Sequence, residues 1–141
     1  MEIIRTVVFS DTPNGGSPCP VIIDGDSITA EMGMSYAKKY GQETIVVSQP
    51  KTDRSSFSLR YFVPNAELEM CVHGTIAAVS VMSAVTGVYK ERQIINTKLG
   101  EMEVDCVQEE AGCLVKVHQF PAVFSASAPS VTQIAKALRI N

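Results

Sequence analysis

Gly74-Thr75-Ile76-Ala77-Ala78-Val79-Ser80-Val81-Met82-Ser83-Ala84-Val85-Thr86-Gly87 is the stretch whose reading decides the fold. Its apolar residues fall on every side of a helical wheel, and its polar side chains are only Ser and Thr. A helix with no polar face has to be enclosed by the rest of its domain. Gly74 and Gly87 bracket it, and Gly is a natural helix stop. The spacing predicts a helix over 75–86, buried on all sides.

The flanking segments supply what encloses it. Residues 56–62 alternate, with Phe57, Leu59 and Tyr61 on one face and Ser58 and Arg60 on the other. That is a half-buried antiparallel strand. Further strands are predicted over 3–9, 21–23, 44–48, 93–96, 102–107 and 113–118. The last two form a hairpin through Glu109-Glu110-Ala111-Gly112, and Ser10 to Pro18 is a dense turn segment. Ile28, Met32, Tyr36 and Tyr40, with Ala37, mark one face of a helix over 28–40 that stops at Gly41. Ser130-Val131-Thr132-Gln133 is a capping-box pattern that opens a final helix to about Arg139. The expected fold is α+β, a mostly antiparallel sheet round one buried helix with a second helix outside. Residues 1–118 read as one domain and 119–141 as a crossover segment and helix, where the chain stops and another unit could begin.

Composition excludes several function classes. The chain has 141 residues, 45% apolar and 19% charged, a globular balance. Its net charge of -3, with no long basic run, argues against nucleic-acid binding. No apolar run approaches the roughly 20 residues a membrane helix needs. The N-terminus reads as a strand and not as a signal peptide. The four cysteines, Cys19, Cys71, Cys106 and Cys113, contain no CxxC pair, so no structural zinc site is expected. A cytoplasmic protein with free thiols is the expectation.

Chemistry concentrates where Cys71-Val72-His73-Gly74-Thr75 opens the central helix. Amides at a helix start are unpaired and lie at the positive end of the dipole, so a carboxylate can bind there. A thiol at that point is expected to have a lowered pKa, and His73 can donate or shuttle a proton. Glu43, between a helix stop and a strand, is a second candidate acid/base. Plainer readings stand beside these. A lone Cys is usually a small buried hydrophobe, and a lone His before a helix often bonds only to backbone. Taken alone, Glu43, Glu67 and Glu69 read first as solvated carboxylates. Cys19, Cys106, Cys113 and His118 read as structural.

Taken together, three blocks resemble the PhzF-like family of phenazine-biosynthesis isomerases and, more distantly, diaminopimelate epimerase and proline racemase. The first runs from Val8-Phe9-Ser10-Asp11-Thr12-Pro13 through Gly15-Gly16-Ser17-Pro18 to Val21, with Ser17 where the family has Asn. The second is Ala37-Lys38-Lys39-Tyr40-Gly41-Gln42-Glu43-Thr44, and the third Phe62-x-Pro64-x-x-Glu67-x-x-x-Cys71-Val72-His73-Gly74-Thr75. The resemblance implies a barrel-like sheet wrapped round a central helix. It implies cofactor-free proton transfer at carbon on a small carboxylic or amino acid. Glu43 falls on the family's acid/base, while the racemase manner would use Cys71 as half of a thiol pair. His73 and the amides of Gly74 and Thr75 would hold the substrate carboxylate. The family carries two such halves with the site between them, and this chain matches the first. A homodimer or a complementary half-protein would then complete the site. The other reading is a non-catalytic half-domain that binds a small carboxylate or only oligomerises. Val72 replaces the family's Gly, a change that could crowd the pocket at the helix start.

Overall fold

The computed structural model describes residues 1–10, 12, 15–110, 112–125 and 127–140. Asp11, Pro13 and Asn14 of the predicted turn, and Ala111 of the predicted hairpin loop, lie outside the described residues.

Strands β1 (Glu2–Val8), β2 (Ser17–Ile23), β3 (Thr44–Ser48), β4 (Ser55–Val63), β5 (Ala66–Leu68), β6 (Gln93–Thr97), β7 (Gly100–Glu109) and β8 (Gly112–Val117) build one mixed sheet. Its order is β1-β2-β3-β4-β6-β7-β8, with β5 paired to β4. The β2–β3 and β4–β6 pairs are parallel and the rest antiparallel. The helices are α1 (Ala30–Tyr40), α2 (Val72–Thr86) and α3 (Val131–Leu138).

The sheet curls into a half-barrel round α2. Both of its edges, β1 and β8, touch that helix, as do β2, β3, β4 and β7 between them. Val21, Ile45, Leu59, Tyr61, Ile95 and Val104 point inward against Ala77, Ala78 and Val79 of α2. The all-apolar helix is thus the core element, as its sequence requires. It is not buried all round, however. Ile76 and Ser80 are only partly covered, and Ala84 and Val85 are exposed. Ile76, Ser80 and Ala84 follow an i, i+4, i+8 stripe with Val85 beside it, and they face the seam where β1 and β8 fail to pair. A groove of about 470 Å³ runs along that seam, lined by Ile4, Thr6, Val8, Ile76, Ser80 and Cys113 among others.

Other departures have local causes. The helix starts at Val72, three residues before the predicted 75, because Cys71 and not Gly74 is its N-cap. Strand β2 begins at Ser17 although Pro18 and Pro20 lie within it. Strand β3 pairs with it only at Val21 and Ile22, so Pro18 and Pro20, opposite Val7 and Arg5 of β1, lie where β2 is an edge on its other side. The short β5 was not predicted. It forms a hairpin with β4 through Pro64-Asn65 and puts Glu67 opposite Phe62.

Strand β4 is covered on both faces, not on one as its alternation suggested. Tyr61 faces α2, while Phe62 faces α1 and is fully buried with Ile22, Ile28, Ala37 and Val46. The helix α1 presents Gly33 and Ala37 to the sheet, and Met32, predicted on the inner face, is exposed. The Phe62 ring explains this. A Cβ on Gly33 would lie 2.5–2.6 Å from three ring atoms, so only a glycine lets the helix approach. Arg60 closes the same layer. It pairs in bidentate fashion with Glu67 at 2.8 Å, donates to the Ile28 carbonyl at 2.7 Å and stacks on Phe62. Glu67 is therefore half-buried and structural, and Arg60 holds its carboxyl below the usual range.

Helix α3 carries the expected capping box at Ser130 and Gln133 and ends on Arg139 in the left-handed region. None of its residues is buried, and Val131, Ile134 and Leu138 are exposed. Among the described residues, no helix is long and apolar enough to cross a membrane.

Candidate active site

The first turn of α2 is held from below. Cys71 is extended and caps the helix, and its Sγ accepts from the Gly74 N–H at 3.4 Å. Its carbonyl accepts from the Thr75 N–H at 2.9 Å and from the Thr75 hydroxyl at 2.8 Å. Because the Thr75 hydroxyl donates there, Tyr61 donates its own O–H to Thr75 Oγ1 at 2.8 Å. Tyr61 and Thr75 are fully buried. Gly74 is buried as well, with Ile45 and Tyr61 packed where a Cβ would stand.

Glu43 arrives from the other side. Helix α1 ends at Gly41 in the left-handed region, and Gln42 and Glu43 then lead directly into β3. The register Ile45–Tyr61 between β3 and β4 places the start of β3 next to the α2 N-terminus. The Cys19 thiol, fully buried on β2, contacts the Glu43 carbonyl at 3.8 Å from beneath.

Glu43, Cys71 and His73 meet in this corner. Glu43 Oε2 lies 3.4 Å from His73 Nε2, and Cys71 Sγ lies 3.1 Å from His73 Nδ1. The side chains of Glu43 and His73 keep 17% and 24% exposure, so the cluster is sheltered yet open to a small molecule. Glu43 Oε1 is buried and has no hydrogen-bond partner. One ligand atom from each of the three residues lies within 4.8 Å of the others.

The thiol corrects an expectation. Cys71 was expected to have a lowered pKa at the helix start, but it is pushed up to about 12. Burial contributes most, and the hydrogen bond to Glu43 and that carboxylate's charge add to it. The Gly74 and His73 amides pull the other way and lose. Cys71 is thus a protonated thiol at neutral pH. Cys19 is likewise raised to about 12 by burial and then by its neighbours Cys71 and Glu43. The Cys71 thiol has one proton to donate, and both His73 Nδ1 and the Glu43 carboxylate lie within its reach.

The structure thus brings Glu43, Cys71 and His73 together, with Gly74 and Thr75 beneath them. In this state the Gly74 N–H is turned to Cys71 Sγ, and both polar groups of Thr75 are used inside the turn. Val72, placed where the family has Gly, does not adopt a positive φ. Cys19, Cys106 and Cys113 pack against the core, Cys113 only partly buried, and no cysteine is in a disulfide. His118 bonds Asp105 at 2.8 Å, and Glu69 is exposed. Two supports of the site were not singled out from sequence. Cys19 was read only as packing and Tyr61 only as an inward strand residue. A buried Tyr hydroxyl usually finds a partner, and that was the available signal.

Comparison with known proteins places the sequence and the fold. The sequence profile of the PhzC-PhzF family, described as phenazine biosynthesis-like protein, matches residues 6–141. The uncharacterized isomerase YfhB of Bacillus subtilis is 25% identical over 99% of this chain and 48% of that protein. A crystal structure of a PhzF-family phenazine biosynthesis protein from Bacillus anthracis is 28% identical, with a TM-score of 0.70. That match covers 83% of this chain and 40% of the other. A predicted epimerase of Pseudomonas aeruginosa is 19% identical and shares the fold, with a TM-score of 0.83 over 98% of this chain and 50% of that one. The chain therefore spans about half the length of the relatives it matches. By its sequence profile and its fold, it belongs to the phenazine biosynthesis-like, PhzC-PhzF family.

Proposed function

We propose that this chain supplies the acid/base half of an isomerase or epimerase that moves a proton at carbon on a small carboxylic or amino acid. Glu43 is the general acid/base. The observation that carries this reading is the unpartnered, buried Oε1 of Glu43, held beside His73 and Cys71 at the mouth of the half-barrel. A carboxylate anchored on its other oxygen, with one oxygen free, is poised to take a proton from a bound carbon acid.

The neighbouring groups receive roles that follow from their geometry. His73 fixes the Glu43 carboxylate through Nε2. The Gly74 N–H makes only a long 3.4 Å contact with sulfur, and an anionic oxygen would be a better acceptor for it. Thr75, with Tyr61, braces the turn that carries it. Cys71 stays a thiol and shapes the pocket. The alternative, Cys71 as half of a thiol pair, asks a group with a pKa near 12 to serve as base. The reading invokes no cofactor. The uncharacterized isomerases among the relatives support the reaction class.

A cleft needs a second wall. Since the relatives are about twice as long, a second copy of this chain or a complementary half-protein would supply it. A closed two-fold pair is the commonest way for identical chains to do so.

The test is proton exchange. The purified chain is incubated in D₂O with a panel of small amino acids and cyclic carboxylic acids, and NMR follows loss of the C–H signal. Exchange at the carbon next to the carboxylate of at least one compound is expected. Saturable binding of a carboxylate with no exchange on any compound would overturn the enzyme reading in favour of a binding half-domain.

A further inference from the structure

We infer that Glu43, Cys71 and His73 form a site for a thiophilic divalent cation of the zinc type, and that such a cation and the carbon-acid substrate exclude one another. The second half of this statement rests on the proposed function, whereas the binding itself does not.

The geometry suits the ion. The three residues come from separate parts of the sequence, a loop before β3 and the first turn of α2, yet their ligand atoms lie within 4.8 Å of one another. Zinc takes sulfur at about 2.3 Å and nitrogen or oxygen at about 2.0–2.2 Å in a tetrahedron, so its ligands stand roughly 3.3–3.7 Å apart. His73 stands close to both partners, 3.1 Å from Cys71 Sγ and 3.4 Å from Glu43 Oε2, through a different nitrogen in each case. An imidazole gives one nitrogen only. His73 or the Glu43 carboxylate therefore has to reorient for all three to meet one ion.

The donor chemistry selects the class. One sulfur, one imidazole and one carboxylate favour zinc, cadmium or cobalt over magnesium or calcium, which take oxygen. Glu43 Oε1 has no partner to give up. The positive end of α2 opposes a cation. Two anionic ligands offset it, and the Gly74 N–H stays bonded to the thiolate sulfur, as second-layer donors do in metal sites. Binding breaks the Cys71 S–H bond, forms the metal–sulfur bond and releases that proton to the buffer. The ion then sits where Glu43 would meet a carbon acid and consumes both of its roles, as base and as anchor.

The probe is cobalt(II), added to the chain without substrate and read by visible absorption. A saturable, equimolar spectrum with a sulfur-to-cobalt charge-transfer band is expected, and zinc should abolish it. Cys71→Ser should lose the band while remaining folded, because Ser caps helices well. Glu43→Gln and His73→Gln should each weaken binding by at least about 10-fold, the lower end of what disturbing even a supporting contact costs. Cys113→Ser should leave the spectrum unchanged. A wild-type chain that gives no saturable band, or a band that survives Cys71→Ser, overturns the inference. Exchange assays run with chelator present separate the two claims. Exchange without a cobalt band sinks only the metal site, and a band without exchange sinks only the acid/base reading. Exchange undiminished by saturating zinc would overturn the exclusion.

Discussion

Glu43 Oε2 stands 3.4 Å from His73 Nε2, across the junction between the start of β3 and the first turn of α2. Glu43 is carried by the strand register of β2, β3 and β4, and His73 by the first turn of the central helix. The site therefore depends on how the half-barrel grips that helix. Each prediction below perturbs one part of that grip or of the cluster it holds.

The Cys71 thiol should be unreactive for its position. A rise from 9.0 to about 12 reduces its thiolate fraction at neutral pH by about three orders of magnitude relative to an ordinary thiol, roughly tenfold per unit. Alkylation by iodoacetamide at pH 8, mapped by mass spectrometry, should be correspondingly slow. Glu43→Gln removes the raising charge and should speed it. Alkylation of Cys71 at the rate of a small free thiol would contradict the account.

Both raised thiols tie stability to alkaline pH. Cys19 and Cys71 bind protons more tightly folded than unfolded, so their contribution is intact below the unfolded pKa near 9 and is lost as pH rises toward 12. The urea midpoint should fall above pH 9. In the Cys19→Ala, Cys71→Ser double variant that alkaline slope should be shallower. An identical slope in the two proteins would show that the thiols are not its source.

Removing the Tyr61 hydroxyl should loosen the site from beneath. Tyr61→Phe deletes the donor to Thr75 and should cost about 0.5–1.5 kcal/mol in chemical denaturation. Thr75 keeps its own bond to the Cys71 carbonyl, so the fold should survive. Hydrogen exchange at the Gly74 and Thr75 amides should quicken more than in the middle of α2. Unchanged stability and exchange would remove Tyr61 from the support of this turn.

Val72 tests whether the family's glycine is needed for backbone shape. Its φ is not positive, so Val72→Gly relieves no strain and should lower stability by roughly 0.5–1 kcal/mol through backbone entropy. A stabilised variant would show that the helix start is strained.

Much of this was legible beforehand. The all-apolar pattern of α2 named the core helix, and Gly41 and the capping box marked helix ends where they occur. Glu43, Cys71 and His73 could be singled out because each lies at a junction between elements. What escaped were effects of contact between distant segments. The Phe62 ring turned the Gly33 face of α1 inward, against its own apolar spacing. The seam between β1 and β8 uncovered Ile76 and Ser80. Burial beside Glu43 reversed the direction of the Cys71 shift that the helix dipole alone suggests.

The paired-halves reading fixes a mass. Light scattering at several concentrations should give twice the 15.2 kDa of one chain if two copies build the cleft. The exposed Val131, Ile134 and Leu138 of α3 are apolar surface available for such an interface. A stable monomer would turn the search to a complementary protein.

The central claim is that Glu43 moves the proton. The most direct measurement is C–H to C–D exchange of the substrate found by NMR, compared for the wild type, Glu43→Gln and Cys71→Ser, each first shown to be folded. The account predicts that Glu43→Gln loses about 10²–10⁴-fold in exchange rate, the range for removing a general acid/base, while Cys71→Ser retains most of it. Loss in Cys71→Ser with exchange preserved in Glu43→Gln would contradict the assignment and place the chemistry on the thiol.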